Sequence, residues 1–239
     1  MKIVLIGYGK MGKAVQEIAE SRGHTISSII RSENKEELKQ LSRAHVDVAI
    51  EFTSPDAAPG NIYACLMASI PVITGSTGWD RELDTIRKLA EERKVGFLHA
   101  SNFSIGMNLF FEINKRLAGF MNHQPDYKIS MKEIHHTAKK DKPSGTAITL
   151  AEDILQNIDR MHTWRLSEGN IEDGVLPIEA IRVEDVPGIH TVTYTSPADQ
   201  LMLTHTAFNR IGFASGAVLA AEFIVDKQGV YTMREVLGF

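Results

Sequence analysis

Residues 2–6, KIVLI, run straight into GYGKMG. This junction constrains the fold more than any other stretch. A short apolar run that ends in a Gly-x-Gly-x-x-Gly turn and opens a helix is the start of a βαβ dinucleotide-binding unit. Gly7, Gly9 and Gly12 hold the three glycine positions. The first glycine permits the tight turn, the second lets backbone approach a pyrophosphate, and the third allows helix and sheet to pack closely. The following helix N-terminus offers N–H groups and a positive dipole end to phosphates. Lys10 and Met11 lie within the turn and belong to the expected cofactor contacts.

Strand and helix signals then alternate through the first hundred residues. Strands are expected at 25–30, 46–52, 70–74 and 95–99, and helices at 11–22, 57–69 and 80–93. Such alternation specifies a parallel sheet with helices on both faces. The pattern changes after about residue 105. Helices at 106–121 and 146–158 accompany strands at 127–134, 178–183, 190–195 and 200–206, while 160–176 reads as a long loop. The apolar stretch 211–225 reads as a helix returning to the first domain. The expected fold class is α/β: a Rossmann-type dinucleotide-binding domain, 1–105 with 211–239, plus an α+β domain, 106–210, with an open mixed sheet. Cys65, the single cysteine, sits in a helical run and reads as a core residue.

Open parallel sheets bind ligands beyond the carboxyl ends of their strands. The second strand ends at Arg31, where an acid for the adenosine ribose is expected. An arginine there can pair with a 2′-phosphate, so NADPH or dual use of NADPH and NADH is expected; the alternative is a solvated surface arginine. Phe52 and Thr53 of EFTSP, and Gly75, Ser76 and Thr77 of TGSTGW, stand at two further strand ends on the same edge.

Residues 132–147, KEIHHTAKKDKPSGTA, concentrate titratable charge in a chain whose net charge is −4. That balance argues against a general nucleic-acid binder and requires a local basic cluster for any anionic ligand. Pro143 suits a helix entry and Ser144 or Thr146 a cap. Ser144, Gly145 and Thr146 then form an anion site beside Lys139, Lys140 and Lys142. His135 and His136 would face opposite ways on a strand. His135 and Lys139 would be roughly 13 Å apart if extended, but about 6 Å apart if the loop curls by one turn. A histidine beside a lysine at an anion site is a candidate proton donor. A solvated basic loop with a structural histidine is the alternative. No H-E-x-x-H and no cysteine cluster supports a metal, so none is expected.

The run EIHHTAKKDKPSGTA closely resembles the signature of the 4-hydroxy-tetrahydrodipicolinate (dihydrodipicolinate) reductase family. Glu133, His135, His136, Lys139, Asp141, Pro143, Ser144, Gly145, Thr146 and Ala147 match its pattern. GYGKMG, EFTSP, TGSTGW and LTHTAFNRIGFASGA resemble further family segments, and ASNFSIGMN resembles its interdomain hinge, so the likeness covers essentially the whole chain. Arg31 departs from the usual acid, and Ile189 stands in Gly188-Ile189-His190 where the family often has glutamate.

The resemblance implies NAD(P)H-dependent reduction of 4-hydroxy-tetrahydrodipicolinate, a cyclic dicarboxylate, to tetrahydrodipicolinate in diaminopimelate and lysine biosynthesis. It implies His135 as proton donor and Lys139 as charge stabiliser. His136, Ser144, Gly145 and Thr146 would be substrate contacts, and Ser101, Asn102 and Phe103 cofactor contacts at the hinge. It also implies a homotetramer. Arg210 would support the site or be a surface charge, and His190 and His205 read as structural. A small imine or amino-acid dehydrogenase and a non-catalytic nucleotide sensor are the rival readings. Neither requires the His-His-x-x-Lys and Pro-Ser-Gly-Thr pairing. The opening apolar run is too short for a signal sequence or a membrane span, so a soluble, cytoplasmic protein is expected.

Overall fold

Strands β1 (Lys2–Ile6), β2 (Thr25–Ile30), β3 (Val48–Glu51), β4 (Val72–Thr74), β5 (Gly96–His99) and β11 (Gly229–Tyr231) form one sheet, ordered β11-β5-β4-β3-β1-β2. Every pair in it is parallel. The computed structural model describes residues 1–167 and 172–239. Its chain divides into two compact units, Met1–Ile105 with Arg210–Phe239, and Gly106–Asn209.

Both faces of the first sheet are covered, which explains why its inner strands β1, β3 and β4 are almost wholly buried and largely apolar, while edge strand β2 carries Thr25, Ser27 and Ser28. Val4 and Ile6 pack with Ile62, Leu66, Ile86 and Ala90 of helices α2 (Ala58–Met67) and α3 (Asp80–Arg93). Ile3 and Leu5 point the other way, onto Val15 and Ala19 of α1 (Lys10–Ser21) and Ala217, Val218 and Ile224 of α6 (Ile211–Ile224). Each Val, Leu or Ile among them, fully removed from water, contributes roughly 1.5–3 kcal/mol. Small residues let α6 lie close: a Cβ on Gly216 would stand 1.7 Å from the carbonyl oxygen of Phe103. The chain leaves β1 for β2 on one side and returns to β3 on the other. The crevice beyond the ends of β1 and β3 is therefore the topological switch point.

The second unit holds β6 (Lys128–His135), β7 (Thr163–Leu166), β8 (Val175–Arg182), β9 (Gly188–Thr195) and β10 (Gln200–Ala207), ordered β10-β9-β6-β8-β7. The sheet is mixed: β8 runs parallel to β6 and β7, and β9 antiparallel to β6 and β10. Helices α4 (Ile105–Met121) and α5 (Gly145–Asn157) cover one face. There Phe110, Leu150 and Ile154 meet Ile129, Met131, Ile178, Val192 and Tyr194. Polar residues such as Ser130, Lys132, Thr191 and Thr193 occupy the alternate positions.

The expected long loop at 160–176 needs correction. It contains β7 and the start of β8, while 168–171 lie outside the described residues. Strand β7 is a four-residue edge strand with mostly exposed side chains, too short to show alternation. Strand β11 and the final helix α7 (Met233–Leu237) are likewise too short to read from periodicity.

Candidate active site

Strand β6 turns from core to chemistry along a single face. Ile129, Met131, Glu133 and His135 alternate inward, so the last two carry polar groups into buried positions. Register fixes their neighbours. Glu133 stands opposite His190 of β9 and beside Ala180 of β8, and His135 is beside Arg182.

The Glu133 carboxylate, 0% exposed, is the hub of this cluster. The Arg182 guanidinium donates to its Oε1 at 3.1 Å. The backbone N–H of Ser144 donates to both oxygens, at 3.2 and 3.1 Å. His135 Nδ1 lies 3.4 Å from Oε2, and His190 Nε2 lies 3.8 Å away. The His135 contact is a close approach without hydrogen-bond alignment, which leaves Nδ1 unpartnered. The two imidazoles meet edge to face at 4.9 Å.

Ser144 caps α5: its backbone is extended and its Oγ accepts from Ala147 N at 3.1 Å. The same Oγ is 3.2 Å from His190 Nε2. Gly145 is exposed at the helix start and Thr146 half-buried. The loop between β6 and α5 does curl, with Lys139 N donating to His136 O at 3.1 Å. Lys139 Nζ pairs with Asp141 at 2.8 Å, and His136 is half-buried.

Burial dominates the electrostatics. It pushes His135 well below the usual histidine range, with Lys139 and Arg182 adding and the Glu133 charge opposing. Burial also lowers His190, to about 3, helped by His135. Both rings are therefore neutral at pH 7 in the free protein. Glu133, His135 and His190 could present three ligand atoms within 4.8 Å of one another to a cation. The Arg182 guanidinium and the Ser144 N–H already occupy the carboxylate, and this suits a hydrogen-bonded charge network better than a metal.

In the first unit, Gly7, Gly9, Arg31, Phe52 and Thr53 line one cavity of about 550 Å³ at the switch point. Gly7 has φ +92°, and a Cβ there would lie 2.0 Å from Phe52 O. Gly12 would place its Cβ 2.4 Å from Gly7 O. Gly9 is different: a Cβ would meet nothing within 4 Å, leaving room for a pyrophosphate at the N-terminus of α1. The Arg31 guanidinium lies over the Tyr8 ring at 4.6 Å, with Ser32 and Lys35 in the same lining.

Beneath these loops the buried Glu51 carboxylate accepts from the hydroxyls of Thr53, Thr74 and Ser76. Thr53 N in turn donates to Ser76 Oγ at 2.8 Å. Gly75 is close-packed, since a Cβ would lie 2.0 Å from the Phe52 ring. Phe103, 2% exposed, stacks edge-on against Phe52 at 5.8 Å. Lys10, Thr77 and Ser101 are exposed, Met11 and Asn102 half-buried, and none of these lines the cavity.

Residues 1–103 match the family profile described as dihydrodipicolinate reductase, N-terminus, and residues 106–237 match its C-terminus. The chain belongs to the dihydrodipicolinate reductase family. It is 46% identical over 238 residues to the 4-hydroxy-tetrahydrodipicolinate reductase of Christiangramia forsetii, covering 100% of this chain and 98% of that one. The enzyme of the same name from Alkaliphilus oremlandii is 32% identical over 243 residues, with 100% and 99% covered. Among solved structures, a dipicolinate-bound dihydrodipicolinate reductase from Paenisporosarcina sp. TG-14 superposes with a TM-score of 0.77 at 22% identity, over 98% of each chain. At that identity the likeness is one of fold, and it bears out the α/β class with a Rossmann-type first domain and a mixed second sheet. As a member of the dihydrodipicolinate reductase family, the protein is an oxidoreductase whose first domain implies a nicotinamide cofactor. No helix among its described residues is long and apolar enough to cross a membrane.

Sequence reasoning missed three members of the buried cluster in this reductase. His190 was expected to be structural, yet it touches both His135 and Ser144. Arg182 had no expected role, and Glu133 entered only as part of the signature. One signal was available: Glu133 and His135 share strand parity with Ile129 and Met131, so a carboxylate sits where the pattern calls for an apolar side chain.

Proposed function

We propose that this chain reduces 4-hydroxy-tetrahydrodipicolinate to tetrahydrodipicolinate, using NADPH or NADH and releasing water, in diaminopimelate and lysine biosynthesis. The observation that carries the reading is His135, buried and neutral, with Lys139 and the capped N-terminus of α5 on the same loop. When bound, the cofactor supplies the hydride. One hydride and one proton enter as one water leaves, so the reaction balances.

A dicarboxylate fits this loop's charge. His136, Gly145 and Thr146 hold the carboxylates at the helix N-terminus, and Ser144, whose N–H is given to Glu133, contributes through its hydroxyl. Lys139 faces the negative charge that develops on the ring as hydride arrives. His135 provides the proton. Two substrate carboxylates near its ring favour the imidazolium, so His135 takes up a proton as substrate binds. Gly7, Gly9, Lys10, Met11 and Gly12 hold the pyrophosphate edge, and Arg31 meets a 2′-phosphate. Phe52, Thr53, Gly75, Ser76, Thr77, Ser101, Asn102 and Phe103 shape the nicotinamide side, several of them through packing. The first domain thus serves the dinucleotide and the second serves substrate and assembly. A homotetramer in the cytoplasm completes the reading.

The test mixes purified protein, NADPH or NADH, and freshly made substrate. Absorbance at the reduced nicotinamide band should fall only when substrate is present. His135→Gln should lower kcat about 100-fold or more with little change in KM, because a proton donor acts mainly in the transition state. Lys139→Ala should also lower kcat sharply. Cofactor binding without substrate-dependent oxidation would leave a nucleotide-binding protein and overturn the reading.

A further inference from the structure

Arg182 ends β8 beside His135, and its guanidinium reaches in three directions. Nη2 donates to Glu133 Oε1 at 3.1 Å and to the Asp141 carbonyl at 2.6 Å. Nε donates to the Lys139 carbonyl at 3.4 Å. Nη1 donates to the Ile181 carbonyl of its own strand at 2.9 Å. One side chain therefore joins the buried hub to the backbone on both sides of Lys140.

The loop's other bonds, Lys139 N to His136 O at 3.1 Å and Lys139 Nζ to Asp141 at 2.8 Å, are internal to it and do not tie it to the sheet. Residues 137, 138, 140, 141 and 142 are exposed, and apolar packing begins only at Pro143. Ordering exposed backbone costs conformational entropy, and hydrogen bonds made by a charged group are the stronger kind that can offset it. The Arg182 bonds are thus of the kind needed to keep the Lys139 segment in one place. Arginine suits the task because its planar fork meets several acceptors at once, which an ammonium on a flexible stem does not.

We propose that Arg182 is a positioning residue for the reduction: it anchors the loop that presents Lys139 to the end of β8, in register with His135, and holds Glu133 beside the ring, so that ammonium and imidazole keep one fixed relation. The proposal rests on the reductase reading above. Arg182 does not touch the reacting atoms and acts through the two groups it places. Its charge also bears on His135, which is faced by Glu133 from β6, Lys139 and Asp141 from the loop, Arg182 from β8 and His190 from β9. Removing the guanidinium leaves Glu133 less compensated and favours the imidazolium. Activity that needs a protonated His135 then persists to higher pH.

The experiment compares wild type, Arg182→Ala and Arg182→Lys for kcat, KM, pH profile, NADPH binding and thermal melting, each with and without added guanidinium ion. Arg182→Ala should lose about 100-fold in kcat, the scale expected when a catalytic group shifts by about 1 Å. Its NADPH affinity should stay within about twofold, since the cofactor residues lie in the other unit. Guanidinium ion should restore at least about a tenth of the lost rate, and the alkaline limb should move upward. Arg182→Lys keeps the charge and tests the fork even if the alanine variant fails to fold. It should retain less than about a tenth of wild-type kcat. An active lysine variant, or an alanine variant with near-normal kcat, overturns the proposal. So does a loss that guanidinium does not rescue and that leaves the pH profile unmoved. If wild type itself fails to oxidise NADPH with substrate, it is the reductase reading that falls.

Discussion

Replacing Gly9 with alanine separates what the fold needs from what a ligand needs. Gly7 cannot accept a side chain: φ is +92°, and the new carbon would lie 2.0 Å from Phe52 O and 2.9 Å from Thr53 Cγ2. The left-handed backbone alone costs about 1–2 kcal/mol, and relieving the overlap means prising β1 from β3. Gly7→Ala should therefore cost at least about 3 kcal/mol. Gly9 has φ −80° and ψ −154°, and its added carbon meets no protein atom within 4 Å. As an N-cap, Gly9→Ala should cost at most about 1 kcal/mol, or about 2–4 °C in Tm. A methyl group there would hold a pyrophosphate off the α1 N-terminus and weaken charge-assisted hydrogen bonds of about 1.5–3 kcal/mol, so the Kd for NADPH should rise about 10- to 100-fold. Thermal melts with and without NADPH, together with a fluorescence titration, measure both quantities. If Gly9→Ala binds NADPH like wild type, the switch-point cavity is not the pyrophosphate seat. If it melts as low as Gly7→Ala, Gly9 is packed against protein and has no open space for a ligand.

Two further predictions concern charge. Arg31→Asp should shift preference toward NADH on the proposal that the guanidinium, which lies over Tyr8, pairs with a 2′-phosphate; an unchanged ratio of the two kcat/KM values would discard that pairing. Stability should fall as pH drops from about 6.5 toward 4. His135 and His190 are lowered by burial, so between their folded and unfolded values the unfolded chain binds more protons. Stability is then fully present above about pH 6.5 and is lost at up to about 1.4 kcal/mol per pH unit for each ring. A Tm that stays flat from pH 7 to pH 4.5 would mean that the rings are not held neutral.

Much of this arrangement was legible along the chain because it is local. Strand β1 is a buried apolar run, the glycines of GYGKMG follow it directly, and Ser144, one of two expected caps, stands before α5. The curl that brings Lys139 back toward His136 was foreseeable as one of two options. What stayed hidden was register. His190 reaches Glu133 across an antiparallel pair and Arg182 reaches it across a parallel one, each about fifty residues away. Nothing in a linear pattern says which residue of a strand faces which. Edge strands β7 and β11 were hidden for another reason: three or four residues with half-exposed side chains carry no measurable period.

On the ribosome, the chain reaches residue 105 with one side of its first sheet covered by α1 alone. Ile3, Leu5, Val48, Ile50 and Leu98 wait for Ala214, Ala217, Val218, Ala221 and Ile224, which are made only after residues 106–209. At ordinary elongation rates that delay is on the order of ten seconds. The inserted unit has its whole apolar cluster within its own span and does not wait for α6. The nascent amino-terminal segment must meanwhile be sheltered or stay loose, so the part translated first is the part that matures last.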